Sequence, residues 1–249
     1  MRIALLSDVH ANLHALDAVL ADITARADIA ARYHLGDLVG YSAFPDQVVA
    51  RLDAEGIPGI AGNYDSTVAS SYKHCGCRSE NAAQEALAHE SFAWTLAHTT
   101  DATKHRLAAL PFRLDVRPFG GHVAGPTLTL VHATPDSSLV YVTEDRSDDF
   151  LRKMAARAGL KEGDVIAFGH THKPWTRLVD DIRFVNTGSV GRPKDGDPRA
   201  GYVVIECASG AAPTVEFVRV AYDVAAAKDA LRRAGLPDSF GATLETGIA

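Results

Sequence analysis

This sequence of 249 residues has few cysteines, no long apolar run and no excess of basic side chains. Three cysteines make a poor disulfide framework, which favours a reduced, cytoplasmic protein. No apolar stretch approaches the roughly 20 residues that span a bilayer, and the N-terminus has no signal-peptide pattern, so we expect no membrane partner. A formal net charge of −6 argues against stable nucleic-acid binding through phosphate contacts. A nucleotide substrate is still compatible with this charge, because bound metals supply positive charge locally.

What is present is a sizeable apolar fraction, 47% of the residues, enough to build the core of a layered α/β domain. Over the first 61 residues apolar strands alternate with helices that begin after Asn12 and at Pro45, which predicts βαβ crossovers and a parallel sheet. The remaining pattern predicts Ala-rich helices in the middle, a helix capped by Ser147, and several strands in the last third.

The predicted organisation is one domain over residues 1–249, with a helical insertion at about 70–110 and a C-terminal helix and tail at about 223–249. The predicted strands lie at 2–7, 30–35, 57–61, 112–118, 127–132, 164–168, 174–179, 182–186, 201–206 and 214–220. The predicted helices lie at about 79–98, 101–109, 148–158 and 223–234. Residues 112–132 are expected to form a hairpin around Gly120, Gly121 and Gly125, and the weak periodicity of 235–249 predicts a partly mobile end.

Five segments share one design, an apolar run followed by a turn that carries metal-capable side chains. Ligands at the carboxyl ends of sheet strands meet at one edge, where α/β sites usually lie. Singly, each Asp is as compatible with a turn and each His with a structural role. The segments are Ser7-Asp8-Val9-His10, Gly36-Asp37, Gly62-Asn63-Tyr64-Asp65, Val131-His132 and Gly169-His170-Thr171-His172.

As candidate ligands these segments supply two Asp (Asp8 and Asp37), one Asn and four His. Mixed nitrogen and oxygen ligands suit Mn²⁺, Fe, Zn²⁺, Ni²⁺ or Co²⁺ better than Ca²⁺. Seven side chains exceed the needs of one tetrahedral zinc, so the set indicates two metals with one bridging carboxylate.

The ordered motifs D-x-H, G-D, G-N-x-D, a lone strand-end His and G-H-x-H resemble the calcineurin-like metallophosphoesterase family, in particular its small bacterial and archaeal phosphodiesterase branch. The resemblance covers roughly residues 1–220. It implies two facing mixed β-sheets flanked by helices, an αββα sandwich. It also implies two divalent metals, with Mn²⁺ preferred. By this resemblance the first metal is held by Asp8, His10 and His172, the second by Asn63, His132 and His170, and Asp37 bridges them.

The activity implied by the resemblance is hydrolysis of a phosphodiester, phosphomonoester or nucleotide-type substrate by a metal-bound hydroxide. Asn63 and His132 are then expected to stabilise charge on the phosphoryl oxygens. The likeness to the small bacterial and archaeal members favours diester or nucleotide-type substrates. A protein Ser/Thr phosphatase is the alternative enzyme. A rival interpretation from another class is a binding or scaffold module with the same fold and little turnover. The oligomeric state is left open.

One departure from the family pattern concerns the proton donor. Many members carry G-N-H-[DE], in which the His is a general acid, whereas this chain has Tyr64 at that position. A Tyr hydroxyl, with an unperturbed pKa of about 10, is a weaker acid than a protonated His. Tyr64, His34 and a metal-bound water are therefore the candidates to replace it.

Two further side chains are candidates for substrate binding. Asn12 fits either a helix cap or a contact to bound phosphate. Arg192 lies in the segment 186–193, which resembles the N-P-G-S segment of small family members, with Thr187 in place of the Pro. Arg192 fits either a bidentate pair of hydrogen bonds to substrate phosphate or a surface salt bridge.

The segment His74-Cys75-Gly76-Cys77 has metal-binding or oxidant-sensitive residues, yet no second such pair exists to close a structural zinc site. We therefore expect a loop near the rim of the site with reduced thiols. The Ala-rich helices at about 79–109 fit either a lid that shapes substrate choice or a plain packing layer.

Overall fold

A computed structural model describes residues 1–77, 81–119, 125–208 and 211–248. Within these ranges the chain forms two mixed β-sheets and eight helices, which confirms the predicted α/β class. The strands are β1 (Arg2–Leu6), β2 (Ile29–His34), β3 (Arg113–Val116), β4 (Leu128–Val131), β5 (Val165–Phe168), β6 (Trp175–Val179), β7 (Ile182–Asn186), β8 (Ala200–Glu206) and β9 (Thr214–Val220). The helices are α1 (Leu13–Ala25), α2 (Pro45–Ala54), α3 (Asn63–Ala69), α4 (Ala82–His98), α5 (Asp101–Ala108), α6 (Asp148–Ala158), α7 (Val224–Arg233) and α8 (Asp238–Thr246).

The first sheet has the strand order β2-β1-β8-β9 and the second has the order β3-β4-β5-β7-β6. Strands β1 and β2 are parallel, and so are β4 with β5 and β5 with β7, whereas the other pairs are antiparallel. Because β1, β2, β4 and β5 each lead into one of the metal-capable turns, their carboxyl ends set the position of the site.

The core between the two sheets follows from the alternation of side chains along each strand. In β1, Ile3 and Leu5 pack with Leu128 and Leu130 of β4 across the sandwich. The intervening Ala4 and Leu6 face the other way, onto α1 and α2. The second sheet is covered on its outer face by α6, whose Leu151 and Met154 join the cluster that contains Phe168 and Phe184.

Helix ends follow the local sequence where a cap is present. Asn12 accepts a hydrogen bond from Ala15 N at 3.1 Å and begins α1. Ser147 accepts one from Phe150 N at 3.2 Å and begins α6, which ends at Gly159 in the left-handed conformation. These two predicted helices are confirmed.

Three predicted elements differ from the structure. Residues 57–61 were expected to form a strand, but they make only one bridge, between His34 and Gly59, because the chain turns at Gly62 into α3. Helix α3 itself was read as a turn. The C-terminal segment contains α8, whose Phe240 and Leu244 pack against α7. The hairpin strands β3 and β4 pair as predicted, while Gly120 and Gly121 lie outside the described residues.

In the part of the chain that the structure describes, no helix combines the length and the apolar composition that a bilayer crossing requires. The single-domain organisation, with its insertion and tail, stays a prediction.

Candidate metal centre

All seven side chains predicted as metal ligands converge at one end of the two sheets. Each is buried, with no more than 4% of its surface exposed. Every one of them follows a strand directly or begins a helix, so the sheet edges determine where the polar groups meet. Asp8 and His10 follow β1, Asp37 follows β2, Asn63 begins α3, His132 follows β4, and His170 and His172 follow β5.

The first group consists of Asp8, His10 and His172, whose ligand atoms all lie within 4.8 Å of one another. The Nε2 atoms of His10 and His172 are 3.1 Å apart. His172 Nε2 lies 3.3 Å from Asp8 Oδ1. Asp8 and His10 come from one sheet and His172 from the other, so the group spans the sandwich.

The hydrogen bonds on the far side of the imidazoles fix which nitrogen faces the group. His10 Nδ1 lies 3.1 Å from Val39 O, and His172 Nδ1 lies 2.6 Å from Arg192 O. A carbonyl oxygen only accepts, so both Nδ1 atoms carry the hydrogen and both Nε2 atoms present lone pairs. Two lone pairs that face each other at 3.1 Å repel unless a cation lies between them.

The second group consists of Asp37, His132 and His170, again with ligand atoms within 4.8 Å of one another. His132 Nδ1 donates to Leu35 O at 2.8 Å, and its Nε2 lies 3.1 Å from Asn63 Oδ1. Asn63 is thus turned with its oxygen toward the group. The amide oxygen of Asn63 adds a fourth possible ligand to this set.

Asp37 lies between the two groups. Its Oδ2 is 3.7 Å from His10 Nε2 and 3.5 Å from His132 Nε2. The other oxygen, Oδ1, accepts a hydrogen bond from Tyr64 N at 2.9 Å, which holds the carboxylate in this orientation. The arrangement therefore provides one carboxylate that is shared by two sets of ligands.

Protonation of the site is set by burial and by the neighbouring charges. Burial lowers the pKa of His10 and that of His170 from 6.5 to about 3, so both rings are neutral at pH 7. Burial alone would lower the pKa of His132, but the charge and hydrogen bond of Asp37 raise it to about 10. Burial alone would raise the pKa of Asp37, but the imidazole of His132 lowers it. A cation that binds the second group must therefore displace a proton from His132.

The donor set fits two divalent cations. Asp8 Oδ1 and His170 Nε2 are buried, and neither has a hydrogen-bond partner among the described residues. Buried polar atoms without partners are costly, and a metal ion removes that cost. Mixed imidazole, carboxylate and amide donors are those that Mn²⁺, Fe and Zn²⁺ accept.

The backbone of the site is strained in the same way at several positions. Five of the seven side chains belong to residues with φ between 49° and 66°, in the left-handed region. Asp and His enter this region more readily than bulkier residues, yet each such residue still costs free energy. The five are Asp8, His10, Asp37, His170 and His172.

Sequence reasoning missed the residues that hold the ligands in place. Asp65 accepts hydrogen bonds from Leu38 N at 2.8 Å and from Gly62 N at 2.9 Å, so it ties the turn after β2 to the start of α3. Asn186 donates to Gly169 O at 2.9 Å and to Thr171 Oγ1 at 2.9 Å, which fixes the turn after β5. Asp65 stands in the G-N-x-D motif and Asn186 begins the segment that resembles N-P-G-S, so a signal was available for each, although neither motif reveals the contacts they make.

The two candidate protein acids lie in buried surroundings, and their role as acids stays a prediction. Tyr64 is fully buried, and its hydroxyl lies 3.4 Å from Ser91 Oγ of α4, inside the core. Burial raises the pKa of Tyr64 well above 10. His34 is also buried, and burial lowers its pKa to about 3. The ring of His34 lies against Gly59, where an added Cβ would stand 2.4 Å from Nδ1 of His34.

The two candidate substrate contacts differ in their surroundings. Asn12 caps α1, and its amide donates to Gly191 O at 2.9 Å, so its polar atoms are occupied by the protein. This placement accounts for the helix cap, and the phosphate contact stays a prediction. Arg192 lies next to the first group, and the salt bridge considered for it is absent among the described residues.

The segment 74–77 lies beside the second group, as Asn63 Nδ2 donates to Cys75 O at 3.2 Å and to Cys77 Sγ at 3.4 Å. The prediction of reduced thiols is wrong here, because Cys75 and Cys77 form a disulfide. The turn at Gly76 brings their Cα atoms to 5.3 Å, which is within the range that a disulfide spans. Helix α4 packs Phe92 into the core, as expected of a packing layer, and a lid function stays a prediction.

Comparison with known proteins identifies related chains over the whole length. The model of the calcineurin-like phosphoesterase superfamily domain matches residues 1–210. An uncharacterized protein of Methanocaldococcus jannaschii is 29% identical over 262 residues, which is 98% of this chain and 98% of that protein.

Solved structures agree with this match. The crystal structure of a metallophosphoesterase from Sphaerobacter thermophilus has 28% identity and a TM-score of 0.75, and the match covers 100% of this chain and 99% of that one. The crystal structure of a hypothetical protein from Pyrococcus horikoshii has 19% identity and a TM-score of 0.82, with coverage of 100% and 99%. The second likeness concerns the fold alone.

Proposed function

Because this chain belongs to the calcineurin-like phosphoesterase superfamily, we propose that it is a phosphoesterase that binds two divalent metal ions. The observation that carries the proposal is the pair of facing Nε2 atoms of His10 and His172, 3.1 Å apart, with both lone pairs directed at one point. A second ligand group shares Asp37 with the first, which supports two ions rather than one. We propose Mn²⁺ as the metal on the basis of the family resemblance, and the mixed imidazole and oxygen donors are compatible with it.

When bound, two such ions lower the pKa of water and neutralise negative charge on a phosphoryl group. The chain itself contributes position and polarity. Asp37 is held by the Tyr64 backbone N–H so that one oxygen faces both groups. Asn63 and His132 lie together at the second group and are the protein groups we assign to the phosphoryl oxygens.

The substrates we propose are phosphodiesters or nucleotide-type compounds. The reaction adds water to phosphorus, breaks one P–O ester bond and transfers a proton to the departing oxygen. The buried positions of Tyr64 and His34 argue against either side chain as the source of that proton. A site without a protein acid favours leaving groups that depart without strong protonation, such as the phosphate of a nucleotide anhydride, over the alkoxide of a phosphoprotein. We propose diesters because the motifs resemble those of the small family members.

The experiment combines metal analysis with turnover. We expect about two metal ions per chain after loading with Mn²⁺, and metal-dependent hydrolysis of bis-p-nitrophenyl phosphate. Asp37→Asn and His132→Ala should lower turnover by about 100-fold or more and reduce the metal content. Asp180→Asn removes a carboxylate that pairs with Arg152 on the surface and serves as the control.

The outcomes are distinct. Protein that takes up no metal would overturn the proposal. Two bound ions without turnover on monoesters, diesters and nucleotides would support the alternative of a binding module with this fold.

A further inference from the structure

Arg192 is fixed by its backbone to the first metal-binding group. Its carbonyl oxygen accepts the hydrogen bond from His172 Nδ1 at 2.6 Å. Its N–H donates to Ser189 Oγ at 2.8 Å, and the Ser189 hydroxyl donates to Asp8 O at 2.7 Å. Any substrate held at Asp8 and His172 therefore lies close to the Arg192 side chain.

The side chain of Arg192 stacks on an aromatic ring that also belongs to the site. Its guanidinium carbon lies 4.1 Å from the centroid of the Tyr41 ring. The Tyr41 ring makes an edge contact with His10, with 5.1 Å between the centroids. Tyr41 has φ of 61°, a rare value for a bulky side chain, and strained backbone of this kind is concentrated at functional sites.

The guanidinium of Arg192 has no counter-charge in the described part of the chain. None of the acidic residues there forms an ion pair with it, and its buried Nε has no hydrogen-bond partner among those residues. The two carboxylates that follow in the same loop are engaged elsewhere, since Asp195 pairs with Arg219 and Asp197 pairs with Arg199.

An arginine whose guanidinium lies over a ring can still present N–H donors to another group, and their planar fork matches the oxygens of phosphate or carboxylate. This side of the site therefore carries a cation that no acidic side chain of the described residues neutralises by an ion pair.

We propose that Arg192, seated on Tyr41, binds a second anionic group of the substrate, next to the phosphoryl group held at the two metal-binding groups. The inference rests on the proposed function and narrows its substrate class. Preferred substrates then carry a further phosphate or carboxylate beyond the ester that is hydrolysed. Tyr41 acts as the positioning residue, because it orients the guanidinium without contacting the anion.

The test compares two ligands that cannot be hydrolysed because they contain C–P bonds, propylphosphonate and 1,3-propylenediphosphonate. Their affinities for the Mn²⁺-loaded protein are measured by calorimetry. We expect the diphosphonate to bind about tenfold more tightly, which corresponds to about 1.4 kcal/mol. Arg192→Ala should abolish that ratio, and Arg192→Lys should keep only part of it, because the ammonium lacks the planar fork.

Two further variants separate position from charge. Tyr41→Leu removes the ring under the guanidinium and should reduce the ratio, whereas Tyr41→Phe keeps the ring and should retain it. Arg199→Ala, which removes the arginine paired with Asp197, is the matched control and should retain the ratio.

Equal affinities of the two phosphonates, failure of both to bind, or a ratio that survives in Arg192→Ala would overturn the inference. Hydrolysis of bis-p-nitrophenyl phosphate is measured in parallel. Turnover without a diphosphonate preference contradicts only the role of Arg192. A preference without turnover contradicts the proposed hydrolysis and leaves the anion-binding role standing.

Discussion

Gly169 lies directly against the carboxylate of Asp8, so that a Cβ added at Gly169 would stand 2.3 Å from Asp8 Oδ2. The same atom would stand 2.0 Å from Ser7 Oγ, and the Ser7 hydroxyl donates a hydrogen bond to Asp8. The turn after β5 and the turn after β1 therefore fit together only because position 169 has no side chain.

We expect Gly169→Ala to displace Asp8 and to lower the metal content of the first group. The clash should also reduce the free energy of unfolding by about 1–3 kcal/mol. Gly241→Ala is the control, because its added Cβ would meet only the flexible side chain of Lys228, at 3.3 Å. Metal analysis and urea unfolding test both effects, and unchanged values in Gly169→Ala would contradict the close fit.

Asp65 is expected to be needed for the position of Asp37. Its carboxylate accepts only backbone N–H groups, from Gly62, Leu38 and Val39. Asp65→Asn replaces one acceptor oxygen by an NH2 group that faces a backbone N–H. We therefore expect a loss of about 1–3 kcal/mol in the free energy of unfolding. A lower metal content should accompany it. Asp180→Asn serves as the surface control, and a variant that equals wild type in both measurements would contradict this role.

Because His34 is buried, we expect the free energy of unfolding to decrease at acidic pH. Burial lowers its pKa from 6.5 to about 3, so below pH 6.5 the unfolded chain takes up a proton that the folded chain does not. Stability from this group is therefore complete above pH 6.5 and decreases, by about 1.4 kcal/mol per pH unit, as the pH falls toward 3.

His34→Gln removes the titrating imidazole. The free energy of unfolding should therefore fall less between pH 6.5 and pH 5 in the variant than in wild type. Urea unfolding at the two pH values gives the difference. His105→Gln, a change at an exposed position of α5, is the control. Equal pH slopes for wild type and His34→Gln would show that His34 is protonated in the folded state.

Tyr64→Phe tests the role that sequence reasoning gave to the hydroxyl. Because this group lies 3.4 Å from Ser91 Oγ in the core, we expect less than a tenfold change in kcat/KM, even for leaving groups of high pKa. Loss of a general acid would cost about 10²–10⁴-fold. The measurement is a series of aryl phosphodiesters of increasing leaving-group pKa, with Tyr72→Phe as the exposed control. A steep loss confined to poor leaving groups would restore Tyr64 as the acid.

Local signals were enough to predict much of this fold. A cap such as Asn12 or Ser147, followed by an apolar stripe, predicts a helix. Both signals depend only on residues a few positions apart, so they can be recognised in the sequence. Helix α3 was missed because its first residue, Asn63, belongs to a motif that was read as a turn. Helix α8 was missed because only Phe240 and Leu244 mark its apolar face, too few for a periodic pattern.

The ligand segments were found because each follows a strand, and parallel strands bring their ends together. The role of the neighbouring residues depends on contacts across long stretches of sequence. Tyr41 and Arg192 are about 150 positions apart, and nothing local indicates that they stack. The orientation of Tyr64 depends on α4, a packing partner that a turn motif does not reveal. Tertiary contacts of this kind set the surroundings of Tyr64 and Arg192, and sequence motifs do not reveal them.

Each ligand group combines side chains from both sheets: Asp8 and His10 with His172, and Asp37 with His132 and His170. Metal ions bound there would act as cross-links between the two halves of the sandwich. Since only the folded chain brings these ligands together, the resistance of the protein to heat and denaturant should rise with the free metal concentration, by RT ln(1 + [M]/Kd) for each ion. The durability of the fold would then depend on the metal supply of its surroundings.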